Sequence, residues 1–257
     1  MDQNLSLVLD LGRSYLRIGY SGDDAPRVVS ETYLGVTSET QTEIPEWDGV
    51  GPQPTAQIID RYLSGDSLND FNPSYKYESL WKNNSSSIPN PRMADFFSNE
   101  ILSNRLSLDS KNFPVLMAED NNPTKDERKA LLQVFLDSGI TNNFMLMRQS
   151  LLSVYACGKI NGAVIDSSSY TTSISTIEEG YFVQEGYAKL NFGGEHVTQK
   201  IKEKLTKDSN NILPDKIRLE VHELSTLDAS YFDLHRRILA RKIKHALFSE
   251  SSTLRLI

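Results

Sequence analysis

Ser6-Leu7-Val8-Leu9-Asp10-Leu11-Gly12-Arg13-Ser14-Tyr15-Leu16-Arg17-Ile18-Gly19-Tyr20-Ser21-Gly22-Asp23-Asp24-Ala25-Pro26-Arg27 is the stretch on which the reading of this chain turns. An apolar run beginning at Leu7 meets an acid at Asp10. Gly12 and Ser14 make a short turn, and Tyr15 to Tyr20 returns with alternating character, which is the pattern of a hairpin. Main-chain N–H groups at a tight turn bind anions, and a carboxylate beside them holds a hydrated cation. The same pattern also describes a plain hairpin, so the stretch alone leaves a phosphate site, a metal site and a structural hairpin open.

The idea recurs later in the chain. Ala163-Val164-Ile165-Asp166 is a second apolar run ending in an acid, Ser167-Ser168-Ser169-Tyr170 is its turn, and Thr171 to Ile177 is the return strand. Asp10 and Asp166 therefore occupy equivalent points of two similar hairpins. Such a duplication predicts two α/β units. Two units face to face bring both strand-end acids and both small-residue turns to one cleft, where ligands bind.

The segments between and after the hairpins fill in the pattern. Residues 37–91 are rich in Ser, Asn, Pro and Asp and read as a polar, partly mobile surface insertion, with helical spacing only around Ile58 to Leu63. Its Trp47, Tyr75, Tyr77 and Trp81 pack locally or on a partner. Met93, Phe96, Phe97 and Ile101 follow helical spacing, and Phe113 to Ala118 is a buried strand. Thr124 and Glu127 form a capping box, with Gly139 as the stop of that helix. Phe144 to Met147 is a strand, followed by a helix from Gln149 to Cys157. Gly193-Gly194 opens a helix whose Val197, Ile201 and Leu205 share a face. A last helix from Ala229 to Phe248 turns Leu234, Ile238 and Leu247 inward. Its Arg236, Arg237, Arg241, Lys242, Lys244 and His245 read as a solvated basic face. Thr253 to Ile257 reads as the start of a strand.

Bulk properties narrow the class. The chain has 257 residues, 39% hydrophobic and 24% charged, with a net charge of -7, as in a globular protein that is not a chain-wide nucleic-acid or membrane-surface binder. Cys157 is the one cysteine, so no intramolecular disulfide forms and an intracellular location fits. Leu5 to Leu9 is too short for a signal peptide, and no apolar run reaches the length of a membrane span.

Several of these stretches together resemble actin and the actin-related proteins. They are Gly19 to Arg27, Phe113 to Glu119, Gln149 with Leu152 to Ala156, Val164 to Ser167, Glu179-Gly180-Tyr181 and the Gly193-Gly194 helix, in the family's order from residue 6 to about 205. The resemblance implies an α/β, actin-like ATPase fold: two RNase H-like lobes with ATP and Mg between them. The first lobe would run over 1–148, with 37–91 in place of the family's small mobile subdomain. The second would run over 149–257 and be incomplete at its end. Carried over, Asp10, Gly12, Ser14 and Arg17 fall in the first phosphate loop, and Asp166 and Ser167 open the second. Asp10 and Asp166 would hold the metal through water. Gln149 falls where the family positions its attacking water, and Arg241 and Lys244 on the adenosine side.

The departures from the family point away from catalysis. Arg13 stands where the family's first loop has a serine after its glycine. Ser168-Ser169-Tyr170 replaces a Gly-Asp-Gly, so main chain is hindered from approaching phosphate and an acid is lost. Ser173 replaces a histidine near the water. Hydrolysis needs in-line water, metal and an open γ-phosphate site, so slow or absent turnover is expected.

At a finer level the two loops resemble those of the nuclear actin-related proteins of chromatin-remodelling and histone-acetylation complexes. That resemblance implies a scaffold subunit in the nucleus. It would pair with another actin-fold subunit and with the helicase-SANT-associated helix of a remodelling ATPase, without membrane or direct sequence-specific nucleic-acid contact. The alternatives are a dynactin-type protein capping a short filament in the cytoplasm, and a filament-forming ATPase.

Overall fold

Alternation of Leu7, Leu9 and Leu11 with Val8 and Asp10 makes β1 (Leu7–Leu11), whose leucines are all buried. The computed structural model describes residues 6–41, 57–64, 68, 75–82, 88–108, 113–207 and 228–249. β2 (Tyr15–Tyr20) pairs antiparallel with β1, and β3 (Val28–Glu31) antiparallel with β2. On its other edge β1 pairs in parallel with β7 (Val115–Glu119), which pairs in parallel with β8 (Phe144–Arg148). The sheet order is therefore β3-β2-β1-β7-β8.

Parallel strands need crossover helices, and the sequence supplies them. α1 (Met93–Phe96) runs on as a π-helix, Phe97–Arg105, ahead of β7. α2 (Lys125–Leu132), running on as a π-helix, Gln133–Asp137, links β7 to β8. The Thr124–Glu127 capping box closes in both directions, with Glu127 N donating to Thr124 Oγ1 at 3.2 Å and Thr124 N to Glu127 Oε2 at 2.9 Å. Gly139 takes φ +68°, the left-handed stop that glycine allows. Phe96, Phe97 and Phe135 from these helices bury the leucine face of the sheet. Phe135 stacks on Phe144 with ring centres 4.7 Å apart.

The second hairpin repeats the first. β9 (Gly162–Ser167) pairs antiparallel with β10 (Thr172–Glu178), and β10 with β11 (Tyr181–Leu190). Asp10 lies opposite Arg17 and Asp166 opposite Ser173; Leu9 lies opposite Ile18 and Ile165 opposite Ile174. The two hairpins thus share one register. α3 (Gln149–Ala156) packs on one face of this sheet, where Ser175 and Ile177 are buried. The other face is open: Ile165 and Ile174 are 73% and 46% exposed, whereas Leu9 and Ile18 are each 1% exposed. Among the described residues this sheet has three strands, and the edge of β9 is unpaired.

The remaining strands correct the reading of 37–91. Ile58 to Leu63 is not helical but lies in β5 (Gln57–Leu63). It pairs antiparallel with β4 (Tyr33–Gln41), which pairs with β6 (Lys76–Ser79). The strand partners are distant in sequence, so local periodicity could not disclose them. Tyr77 and Trp81 are buried within the fold, and Trp47 lies outside the described residues.

α4 (Gly194–Lys207) and α5 (Ala229–Ser249) pack on each other. α5 also crosses to the first-lobe side. Its Tyr231 and Leu234 form a core with Leu68 and Tyr77, the Tyr77 and Tyr231 rings 5.4 Å apart. Leu234 is inward as expected, but Leu247 is 63% exposed: periodic spacing does not tell where a helix leaves its neighbour. Arg237 and Arg241 are buried at 4% and 6%, not solvated. Thr253 to Ile257 lies outside the described residues. Among the described residues no helix is long and apolar enough to cross a membrane.

Candidate functional site

The two hairpin turns meet across a cavity of about 790 Å³ whose walls include Asp10, Gly12, Arg13, Ser14, Arg17, Gln149, Asp166, Ser169, Tyr170, Ser173 and Lys189. The first turn is tightly built. Gly12 N donates to Tyr15 O at 3.0 Å, and a Cβ at Gly12 would stand 2.7 Å from that oxygen, so only glycine fits. Trp81 Nε1 donates to Gly12 O at 3.0 Å, and Thr32 Oγ1 to Arg13 O at 2.7 Å. These anchors hold Ser14 at the tip, 7% exposed. Arg13 lies over the Trp81 ring, 4.8 Å from its centre, and burial lowers the pKa of its guanidinium against the pull of Glu127 and Asp120.

The second turn is tied to the start of α4. Gly194 N donates to Ser168 O at 3.1 Å and Glu195 N to Ser169 O at 2.6 Å. A Cβ at Gly193 would lie 2.4 Å from Ser168 O, which explains the glycine there. Ser167 Oγ sits 3.1 Å from Thr172 Oγ1. Burial of Tyr170, first among several causes, pushes its pKa up to about 12, so its ring enters the cleft as a neutral phenol.

The turns touch. Ser169 Oγ donates to Ser14 Oγ at 2.7 Å. Two further ties cross beside it: Lys189 to Asp120 at 2.8 Å, and Asn121 Nδ2 to Ser173 Oγ at 3.5 Å. Asn121 is 2% exposed and also accepts from Ser150 N at 2.9 Å, fixing the start of α3 next to Gln149. Asp10 accepts from Arg17 at 2.8 Å. Asp166 has its pKa raised, by burial first and then by Asp120 and Asp10. The acids of both hairpins therefore do converge, and they sense each other.

The structure brings Asp10, Gly12, Ser14, Arg17, Asp166 and Gln149 to one cavity. It places Ser167 beside that cavity and Arg241 and Lys244 away from its wall, on α5. Arg241 Nη1 donates to Glu31 Oε1 at 2.9 Å and to Tyr15 Oη at 3.0 Å. Lys244 donates to Gly194 O and Thr198 Oγ1, each at 3.1 Å, and burial lowers its pKa. Sequence reasoning missed Thr32, Asn121, Asp120, Lys189, Tyr15 and Glu31. Only the hairpin register, which sets Tyr15 opposite Glu31, carried a hint of one of them.

The comparisons with known proteins agree with this architecture. The family model for actin matches residues 1–253. This chain belongs to the actin family. Actin-related protein 4 of Yarrowia lipolytica is 25% identical over 217 residues, 83% of this chain and 48% of the relative. Actin-like protein 9 of Rattus norvegicus is 23% identical over 203 residues, 79% of this chain and 46% of the relative. Actin-related protein 4 of Debaryomyces hansenii is 22% identical over 251 residues, 92% of this chain and 50% of the relative. The chain spans about half the length of the curated relatives it matches.

The family's fold generally binds ATP and Mg. No atom fits between two oxygens 2.7 Å apart, so the Ser14–Ser169 contact leaves no place for a phosphoryl group between the turns. The wall cations Arg17 and Lys189 are already matched to Asp10 and Asp120. Among the described residues, Nη1 and Nη2 of Arg237 and Nη2 of Arg241 have no hydrogen-bond partner. Both guanidiniums lie instead over tyrosine rings, Arg237 at 4.5 Å from Tyr33 and Arg241 at 5.0 Å from Tyr15. As arranged, these residues do not fit a triphosphate. Among the described residues no cluster of three or more His, Cys, Asp or Glu could hold a metal ion.

Proposed function

We propose that this chain is a non-catalytic actin-related scaffold subunit of a nuclear chromatin-remodelling or histone-acetylation complex. It would pair there with another actin-fold subunit and with a long helix of the remodelling ATPase. The observation that carries the reading is the open face of the second sheet. Ile165 and Ile174 stand 73% and 46% exposed in the register positions where Leu9 and Ile18 are buried. The two are cross-strand partners, so their exposed side chains adjoin, and an adjoining apolar pair on an open sheet face suits a surface that a partner covers.

The chemistry of the cleft supports the same reading. Ser173 and Ser169 supply neither the base nor the acid that a hydrolytic site of this family uses. Relatives named actin-related protein 4 support an actin-related protein rather than a conventional actin. Affinity purification from cells with mass spectrometry tests the proposal. Remodeller or acetyltransferase subunits are expected. Recovery of dynein-activator subunits in their place would overturn the reading, and so would phosphate release from MgATP at a rate typical of a filament-forming actin.

A further inference from the structure

We propose that this chain holds its two lobes together with its own side chains and takes no nucleoside triphosphate in the cleft. The Ser14–Ser169 bond and the α5 clasp do the work of closure.

The two contacts lie in different places. The first is at the turn tips, where Ser169 Oγ donates to Ser14 Oγ at 2.7 Å. Both carbonyls before Tyr170 are committed to the N-terminus of α4, through Gly194 N and Glu195 N. The second turn is thereby fixed, with its hydroxyl pointing at the first. Thr32 and Trp81 hold the first turn from behind. Neither loop is poised to open around a phosphate.

The second contact is α5, whose successive turns each grip the first-lobe side. Tyr77 N donates to Ser230 Oγ at 2.8 Å. Tyr231 and Leu234 enter a shared core with Leu68 and Tyr77. Arg237 lies over Tyr33 and bonds Glu195 at 2.5 Å, tying α5 to α4 at the same point. Arg241 bonds Tyr15 and Glu31, which are register partners on β2 and β3. Buried apolar contacts, the Arg237–Tyr33 stack and the Arg241–Glu31 ion pair close the lobes along α5. A clasp of this kind has no need of a ligand to bridge it.

Charge argues in the same direction. The cavity wall carries Asp10, Glu119, Asp120 and Asp166 against Arg13, Arg17 and Lys189. Asp10 is paired with Arg17, Asp120 with Lys189 and Glu119 with Arg128, so a polyanion entering there would have to displace carboxylates from their cations while facing Asp166.

The inference is independent of which complex the chain joins, and its test reads the cleft alone. The full chain is titrated with MgATP and followed by equilibrium dialysis and by thermal unfolding. The expected result is no saturable binding and an unchanged midpoint at millimolar MgATP. A ligand present far above its Kd must raise the midpoint by mass action, so a saturable upward shift of several degrees would overturn the proposal. Stoichiometric nucleotide released on denaturing the purified chain would do the same.

Hydrogen exchange on the nucleotide-free chain supplies a second measurement. Amides of residues 12–17 and 168–172 should be protected without nucleotide, and unchanged on adding it. Ser169→Ala should speed exchange in both turns by about fivefold, the loss of one hydrogen bond. Turns that exchange freely in the native chain, or gain protection on adding MgATP, would show that the latch is not there. A purified complex lacking remodeller subunits would leave this result untouched.

Discussion

Arg241 and Glu31 stand 210 residues apart in the chain and 2.9 Å apart in the fold. Their side chains are 7% and 19% exposed, and the pair joins α5 to the edge of the first-lobe sheet. Removing one partner of such a pair leaves the other charge buried and alone, which costs about 3 kcal/mol. Glu31→Ala should therefore lower unfolding stability by roughly that amount, as read in urea. The double variant Glu31→Leu with Arg241→Met should lose much less, because no stranded charge remains. Equal losses in the single and double variants would mean that the ion pair is not the joint.

The two hairpins offer a matched experiment. Leu9 and Ile165 hold the same register position, one under a layer of phenylalanines and the other open. Leu9→Ala should cost about 2–5 kcal/mol, the lost transfer energy plus the cavity. Ile165→Ala should stay within about 0.5 kcal/mol in the isolated chain. Ile165→Asp should keep the fold, by circular dichroism, while reducing capture of partner subunits. Undiminished capture would move the interaction surface elsewhere.

Thr124 tests the local signals. Its hydroxyl accepts from Glu127 N, and Glu127 answers by accepting from Thr124 N. Thr124→Ala should cost about 1 kcal/mol in urea unfolding, with α2 the first segment to gain hydrogen exchange.

Thr124 also marks what the sequence could disclose. The capping box, the left-handed glycine at Gly139 and the period-two hairpins are local, and each was legible. The duplicated register of Asp10 and Asp166 was legible too, since both turns have the same length. The sheet that reaches into 37–91 was not, because β4 pairs with β5 and β6 across polar stretches in which neither period stands out. The fate of the basic residues on α5 was equally hidden. Arg237 and Arg241 look like surface charges until Glu195, Glu31, Tyr33 and Tyr15 come to meet them from distant strands and helices. The residues of the cleft could be named from the sequence. Their pairing with one another, rather than with a ligand, is a tertiary fact.

Asp166 gives a pH signature with a fixed sign. Its pKa is raised above the ordinary 3.8, by burial first and then by Asp120 and Asp10. Between the unfolded and the folded value the native state binds more protons, so stability falls as pH rises through that window. Above the folded value the penalty is complete, and below the unfolded value it is gone. Asp166→Asn removes the charge that causes it. The difference in melting midpoint, variant minus native, should be near zero in acid, grow as pH rises and level off at a positive value by neutral pH. The native residue is half-exposed, so the effect is a modest one. Magnesium separates this outcome from metal binding. If Asp166 held a hydrated divalent cation, that ion would stabilise the native chain, and the difference would turn negative on adding Mg. The pairing of Asp10 with Arg17 and of Asp120 with Lys189 predicts that it stays positive.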